Sequence, residues 1–327
     1  MERDYAMSHI QYSEPPVPVG AVAIIQHAKV RPVRTRHRGF ALALMTPALL
    51  FYTLFLILPT LGTVVISFTD WTGISFDTIR FNGFDNFIAM AQDPFFWKAL
   101  QNSFLFVVFA LVFQVGLAFI TALLLESNLR LAEWFRSIFL VPSVLSLIVI
   151  GLLFSFILDP TIGIVDNVLH RIGLHSPAFG WLGTPGVNIY VVIAIHIWRE
   201  FGFTMFLLVA GLQALPRELL EAARLDGATP WQLTTRIIIP LIKDVLGVAV
   251  LLTSISALRV FDLVYATTQG GPYHASETLV SYVYQLGLGT TETRQGYATA
   301  IALILMIIII AISVLQLRLT KFGKNSL

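Results

Sequence analysis

Six runs of this sequence are each long and apolar enough to cross a lipid bilayer, and that pattern fixes what the chain can become. They cover residues 40–68, 104–125, 138–158, 188–212, 245–267 and 297–317. Crossing a hydrocarbon core of ~30 Å takes ~20 helical residues. Inside it every backbone N–H and C=O needs a partner within the protein, so runs of this length read as helices. Composition agrees: 56% of the residues are hydrophobic and 12% are charged, where a soluble domain carries ~25% charged residues. The fold class expected is an all-α membrane protein of six transmembrane helices. The net charge of +2 gives no reason to expect nucleic acid as a partner, and the chain has no cysteine. Disulfides, thiolate metal sites and thiol catalysis are thereby excluded.

Between the runs the chain alternates polar segments of different character. Residues 1–39 are polar, with Pro15, Pro16, Pro18 and Pro32, and lack the apolar core and small-residue cleavage site of a signal peptide. They read as a tail without fixed structure, ending in a basic cluster of Lys29, Arg31, Arg34, Arg36 and Arg38. Asp70 and Trp71 mark the far end of the first run. Residues 82–103 are amphipathic and aromatic-rich and are expected to lie along the outer surface. The third run contains Pro142, which neighbouring helices can accommodate. Residues 159–186 form a polar loop; 273–296 form another, with a short helix expected near 277–286, after the turn signal Gly270-Gly271-Pro272.

Lys and Arg are enriched in cytoplasmic loops. Fourteen fall in the N-terminal cluster, the loop holding Arg130 and Arg136, the loop holding Arg217, Arg224, Arg236 and Lys243, and the tail 318–327. Four, Arg80, Lys98, Arg171 and Arg294, fall on the other side. Both termini and the 214–243 loop are therefore expected in the cytoplasm, in a multi-pass membrane protein.

The 214–243 loop is the polar stretch with the most local information. Pro216 suits a first helical turn, and Glu218 to Leu225 contains Ala222 and Ala223, both good helix formers. Gly227 can take the left-handed conformation that stops a helix. Thr229, Pro230 and Gln232 have the spacing of a capping box that starts a second helix. The result is a compact helix–turn–helix between two spans, shaped to fit a groove on another protein.

That stretch also resembles a known family. Glu221-Ala222-Ala223, Asp226-Gly227-Ala228 and Pro240 resemble the EAA coupling loop of ABC importer permeases, the binding-protein-dependent kind. The resemblance implies that the loop docks into a cleft of a separate ATP-hydrolysing subunit. Trp198, Gly202, Phe203 and Met205 in the pattern W-x-x-x-G-F-x-M, followed by AGLQALP (Ala210 to Pro216), resemble the fourth core span of carbohydrate-uptake permeases. Phe261-Asp262, Tyr265, Thr268, Gly270-Gly271-Pro272 and Glu277-Thr278 resemble their fifth span and the loop beyond. The likeness runs from about residue 40 to the end and is strongest to the maltose, glycerol-3-phosphate and lactose permeases. It implies a permease domain over 40–317.

Ionisable groups inside a membrane are costly and usually face a bundle interior or a wet cavity. The fourth run holds His196, Arg199 and Glu200, with Phe203 extending their face; the fifth holds Thr253, Ser254, Ser256, Arg259 and Asp262. Aromatic rings beside hydrogen-bonding and charged groups suit a sugar. The same residues also read as ion pairs, Arg199 with Glu200 and Arg259 with Asp262, that hold helices or bind a second permease. Laid on the maltose-type permeases, the sugar-contacting positions fall on His196, Arg199, Glu200, Phe203, Thr253 and Ala257. Two of these are charged where the maltose protein has small or apolar residues, so the resemblance does not imply maltose itself. The extra spans and large outer domain of that protein have no counterpart.

The resemblance implies partners: a second permease, an ATP-binding cassette ATPase dimer, an extracytoplasmic sugar-binding protein, membrane lipid and the sugar. No cofactor is expected on this chain, because Gly323-Lys324 lacks the spacing and the Ser/Thr of a phosphate loop; ATP and Mg belong to the ATPase. Nor is a metal or an enzyme activity expected. His196 and Glu200 lack the second His of HExxH, and no G-x-S-x-G occurs. A secondary transporter or channel, working without an ATPase, is the alternative; it would show inverted repeats and helices broken at the midplane.

Overall fold

The computed structural model describes residues 38–126, 132–289 and 293–321. Lys29, Arg31, Arg34 and Arg36 of the basic cluster, with Arg130 and Lys324, lie outside them, as does the rest of the 1–37 tail. The chain forms two compact units, Met1–Leu58 and Pro59–Leu327. In the first, α1 (Arg38–Tyr52) precedes a π-helical segment, Thr53–Ile57.

The second unit is helical throughout. It begins with all but the first residue of α2 (Leu58–Ile66), followed by α3 (Asp85–Gln92) and α4 (Pro94–Phe109), the last running through a π segment, Ala110–Val115, into α5 (Gly116–Glu126). Next come α6 (Ala132–Val144), α7 (Leu147–Ile157), the short α8 (Ile164–Arg171) and α9 (Gly180–Gly183), and the long α10 (Asn188–Gln213). Then follow α11 (Arg217–Leu225), α12 (Pro230–Gln232), a π segment Leu233–Ile238, α13 (Ile239–Leu241) and α14 (Lys243–Leu258). The unit closes with α15 (Asp262–Thr267), α16 (Leu279–Tyr284) and α17 (Gln295–Lys321). Among the described residues there is no strand, only an isolated bridge between Thr69 and Phe81.

Four helices are long and apolar enough to span a membrane: Leu44–Ile66, Pro94–Glu126, Asn188–Gln213 and Gln295–Leu319. The number rises to six if each of two bent pairs counts as one span. The first pair is α6 with α7, bent by 95°; the second is Pro230–Leu241 with α14, bent by 76°.

The bends have local causes. Pro142 lacks the N–H that would continue the ladder in α6. Leu145 N–H closes a tight turn onto Pro142 O at 3.2 Å, and Ser146 is extended (φ −63°, ψ 135°). What reads in the sequence as a straight third span is thus two helices at a right angle. Pro240 likewise stands after a π segment, where the wider turn gives its ring room against the carbonyl four residues back.

The second span starts earlier than the apolar run suggests. Asp93 caps it, accepting from the Phe95 N–H at 2.9 Å, with Pro94 in the first turn. Residues 94–103 are the beginning of this span, not a surface segment. Two of their polar side chains turn inward: Asn102 Nδ2 donates to the carbonyls of Ala275 (3.1 Å) and Glu277 (2.8 Å), and Ser103 Oγ accepts from Leu279 N–H. The fifth span is also not the straight 245–267 helix of the sequence reading. It breaks after Leu258 and resumes as α15, which packs on α7. The last helix runs on through Arg318, past the expected end at residue 317.

Helix α10 is the centre of the bundle, packed against α5, α6 and α14. Two apolar cores flank it. One joins Phe106, Ile193, Leu258, Leu279 and Ile301; the other joins Ala122, Leu208, Leu212, Leu233 and Ile242 near the 214–243 loop. Gly202 sets the contact of α10 with α6, since a Cβ there would lie 1.8 Å from Phe139 O. Gly202→Ala is therefore expected to lower the thermal midpoint of the detergent-solubilised protein, by an overpacking cost of ~1–3 kcal/mol. Gly116→Ala, where an added Cβ meets nothing within 4 Å, should hold or raise it. Equal midpoints for the wild type and Gly202→Ala would disprove the close approach.

Candidate functional site

The 214–243 loop folds locally as its sequence directs. Helix α11 ends in a Schellman arrangement: Ala228 N–H reaches Ala223 O at 3.0 Å and Gly227 N–H reaches Arg224 O at 3.1 Å. Gly227 has φ +83°, open to glycine at little cost. Thr229 and Gln232 then form a reciprocal capping box, at 2.9 and 3.3 Å. Leu233, Ile238 and Ile242 are buried and tie this second helix into the bundle. Leu220 and Ala223 of α11 pack on the same core.

What remains outside is chemically mixed. Glu221, Ala222, Asp226, Gly227 and Pro240 are exposed, while Ala223 and Ala228 are half-buried. Leu225 is 89% and Trp231 76% exposed, apolar groups presented on an otherwise polar knob. Beneath α11 lies a cleft of about 700 Å³ lined by Glu126, Arg217, Leu220, Glu221, Arg224 and Leu233, among others. Glu221 stands one turn from both Arg217 and Arg224, so a carboxylate sits between two guanidinium-bearing positions on one helix face.

The intramembrane residues singled out in the sequence do not form one cluster. His196 is fully buried, edge-on to Phe106 at 5.7 Å, and among the described residues neither ring nitrogen has a hydrogen-bond partner. Thr253 and Ala257 are buried within the bundle too. Phe203, Arg259 and Asp262 are exposed. Arg199 and Glu200 lie between these extremes and pair with each other. Arg199 Nη2 also donates to Leu145 O at 3.3 Å, so this side chain caps the bend of the third span.

Arg259 and Asp262, by contrast, form no ion pair with each other among the described residues. Thr253, Ser256 and Arg259 are spaced at threes, as along one helix face, but Asp262 does not continue that face. The helix stops at Leu258, Arg259 caps it, and Phe261 leaves helical geometry (φ −136°, ψ −61°) before Asp262 opens α15. The Val260 carbonyl freed by this break accepts from Thr278 Oγ1 at 3.0 Å.

Gln114 was not singled out from the sequence, yet it links three spans. Its Nε2 donates to Thr204 Oγ1 at 2.9 Å and to Thr253 Oγ1 at 3.3 Å, fully inside the bundle. It lies in the π segment Ala110–Val115. A lone amide in the middle of an apolar run was the available signal.

At the opposite end from the 214–243 loop, a second polar network fixes the loop 268–278. Asp93 accepts from the hydroxyls of Tyr282 and Tyr297, both at 2.6 Å. Burial opposes the charge of Asp93, but these bonds and those from the Phe95 and Phe96 N–H groups together hold its pKa below the usual value. Glu277 is fully buried and pairs with His274. Burial raises its pKa, with His274 pulling the other way. Asn188 Nδ2 donates to Gly271 O at 2.8 Å, and Ser276 Oγ to Thr268 Oγ1 at 2.8 Å. Tyr273, at the tip, is 92% exposed. A pocket of about 280 Å³ lies nearby, lined by Asp70, Trp71, Asn82, Asp85, Arg294 and Tyr297, with the Arg294 guanidinium 4.6 Å from the Tyr297 ring.

Residues 114–322 match the family described as binding-protein-dependent transport system inner membrane component. The probable ABC transporter permease protein YurN of Bacillus subtilis (strain 168) is 37% identical over 86% of this chain and 95% of its own length. The lactose transport system permease protein LacF of Rhizobium radiobacter is 34% identical, over 74% of this chain and 81% of its own. Among solved structures, a chain of a bacterial alginate ABC transporter, in complex with an alginate pentasaccharide-bound periplasmic protein, superposes with a TM-score of 0.74. It is 25% identical and covers 85% of this chain and 92% of its own. These likenesses favour the ATP-driven permease over the secondary transporter or channel. A helical bundle of spans, a capped helix–turn–helix between two of them and this match over most of its length together place the chain in the family of binding-protein-dependent transport system inner membrane components.

Proposed function

We propose that this chain is the transmembrane permease subunit of an ATP-driven importer for a sugar or sugar derivative, providing half of the pathway. The observation that carries this reading is the knob of α11 to α13. It is rooted in the bundle through Leu233, Ile238 and Ile242, while Leu225 and Trp231 stand outside uncovered. An ATPase subunit with an apolar groove and a cation for Glu221 is the partner such a surface fits. Names of relatives that carry lactose or face a saccharide-bound protein support the sugar class.

In this reading the termini and the knob are cytoplasmic, a second permease completes the pathway, and the ATPase dimer hydrolyses ATP with Mg. Closure of the ATPase dimer moves the knob, and α12 to α14 transmit that motion to the broken fifth span. Glu221, Ala222, Ala223, Asp226, Gly227, Ala228 and Pro240 form the coupling surface. His196, Arg199, Glu200, Phe203, Thr253, Ala257, Arg259 and Asp262 belong to the substrate path. Of these, Phe203, Arg259 and Asp262 face the space that the second permease encloses, while His196, Thr253 and Ala257 support the wall from behind. The segment 82–93, with the exposed Trp97 just after it, and the loop 270–296, with exposed Tyr273, receive the sugar-binding protein. The permease carries no catalytic group and no cofactor of its own.

Purification of the tagged protein in mild detergent should bring down a second permease and a Walker-A ATPase. Recovery of the folded chain alone would defeat the assignment. Gly227→Val should uncouple ATP hydrolysis from uptake, because a β-branched residue resists φ +83° at a cost of ~1–2 kcal/mol. Gly227→Asn should retain most of the coupling. Wild-type uptake by Gly227→Val would contradict the role of that turn.

The Arg199 contacts give a further expectation. Arg199→Ala removes both the Glu200 partner and the cap on Leu145 O, leaving a half-buried carboxylate unpaired. The expected result is an assembled complex with uptake reduced tenfold or more, on the order of 2 kcal/mol for a charged hydrogen bond. Loss of assembly, measured by co-purification, would show instead that the pair serves only to hold the subunits.

A further inference from the structure

Three aromatic rings meet where the fifth span is broken. Phe261, Tyr265 and Tyr284 have centroids 5.4, 4.9 and 5.1 Å apart, pairwise. Two come from the break and α15, the third from the end of α16, so the cluster bridges the span and the segment following loop 268–278. The rings are only partly covered, with Tyr265 40% exposed. The three pairs are stacked, tilted and edge-on in turn, geometries that aromatic pairs favour.

The surroundings of the rings distinguish between their possible uses. An aromatic girdle against lipid would sit beside apolar side chains. Here Asp262 lies between Phe261 and Tyr265 in sequence, Arg259 lies just before them, and both charges are exposed and not paired with each other. Ionisable groups at the end of a span belong against water or a polar partner, not hydrocarbon. A broken helix is likewise tolerated inside a membrane only where it is buried in protein or lines a wet cavity. The break here has its Val260 carbonyl answered by Thr278, and its charged side chains are uncovered.

We propose that Phe261, Tyr265 and Tyr284 form a stacking platform for one pyranose ring of the transported sugar, with Asp262 and Arg259 as hydrogen-bonding partners for its hydroxyls. The platform would be a subsite on the binding-protein side of the path, reached before the residues of the fourth span. Apolar ring faces meet the C–H face of the sugar, and the flanking charges discriminate among hydroxyl arrangements. This inference rests on the carbohydrate reading above.

The test uses the whole transporter, with its ATPase, second permease and binding protein, in proteoliposomes offered radiolabelled lactose, maltose and trehalose. Tyr265→Ala and Tyr284→Ala should raise the KM for the sugar that is taken up about 3- to 10-fold, the scale of one aromatic contact. Basal ATPase activity should not change, and Tyr265→Phe should keep a near wild-type KM. Because the chain has no cysteine, Phe261→Cys, Tyr265→Cys and Tyr284→Cys can be probed with a charged methanethiosulfonate reagent. Labelling of this chain in the assembled complex, slowed by the transported sugar, is expected. Unreactive cysteines in an intact complex would put the rings against lipid or the second permease and overturn the platform. So would alanine variants whose KM matches the wild type, and in both cases the carbohydrate reading would stand. A wild-type transporter that takes up no sugar would instead remove the carbohydrate reading and the platform with it.

Discussion

The bilayer interior offers no water to a backbone group, and most of this architecture follows from where the chain must still break its helices. Each interruption leaves carbonyls or N–H groups that the protein has to answer itself. At the bend of the third span, Leu145 O is reached by the Arg199 guanidinium. At the break of the fifth, Val260 O is reached by the Thr278 hydroxyl. Beside Pro240, the backbone widens into a π segment. In the first two cases the repair comes from a different element than the one broken, so a local interruption becomes a tertiary contact. A span that could have been an independent rod is locked to its neighbour.

This explains why the polar residues of the fourth span divide as they do. Arg199 was expected either in a sugar pocket or in an ion pair, and its geometry includes the pair with Glu200. Its second contact, on a bent span 54 residues earlier in the chain, gives it a further tie. An always-charged planar guanidinium can serve two acceptors at once, which a lysine would do less well. Gln114 does the same job deeper in the bundle by sharing one amide between Thr204 and Thr253. Both residues connect the fourth span to others through side chains with several donors. Between them, α10 is bonded to the second span and to the bend of the third, and Gln114 adds the fifth.

How much of this was legible in the sequence depends on the range of the interaction. The knob was readable almost atom by atom, because Gly227, Thr229, Pro230 and Gln232 act over three or four residues. The apolar runs disclosed the number of membrane-crossing segments when bent pairs are counted as one. They hid the 95° bend, since Pro142 permits a kink without saying how far it turns. The start at Pro94 was hidden by Asn102 and Ser103, which look like surface residues until the 268–278 loop is seen to supply their partners. The break after Leu258 was missed for the same reason: Arg259 and Asp262 fit a helical stripe, and only the distant Thr278 shows where the ladder ends. Among the candidate site residues, side-chain type was readable and side-chain environment was not. His196 and Arg259 look alike as intramembrane cations-in-waiting, but one is enclosed beside Phe106 and the other is exposed.

Two cores joined by one long helix give the molecule a division that bears on how motion can pass through it. The core near the 214–243 loop holds Leu233, Ile238 and Ile242, so displacement of the knob must move α10 and α14 at that end. The other core holds Leu258, Leu263 and Leu279 around the break. Packed interiors transmit strain rather than absorb it, and α14, Lys243–Leu258, runs without interruption from one core to the other. Its ends are the two places where the backbone leaves helical geometry, at Ile242 and at Arg259–Phe261. In the proposed importer, a rod with a joint at each end would carry a push on the knob to the charged break.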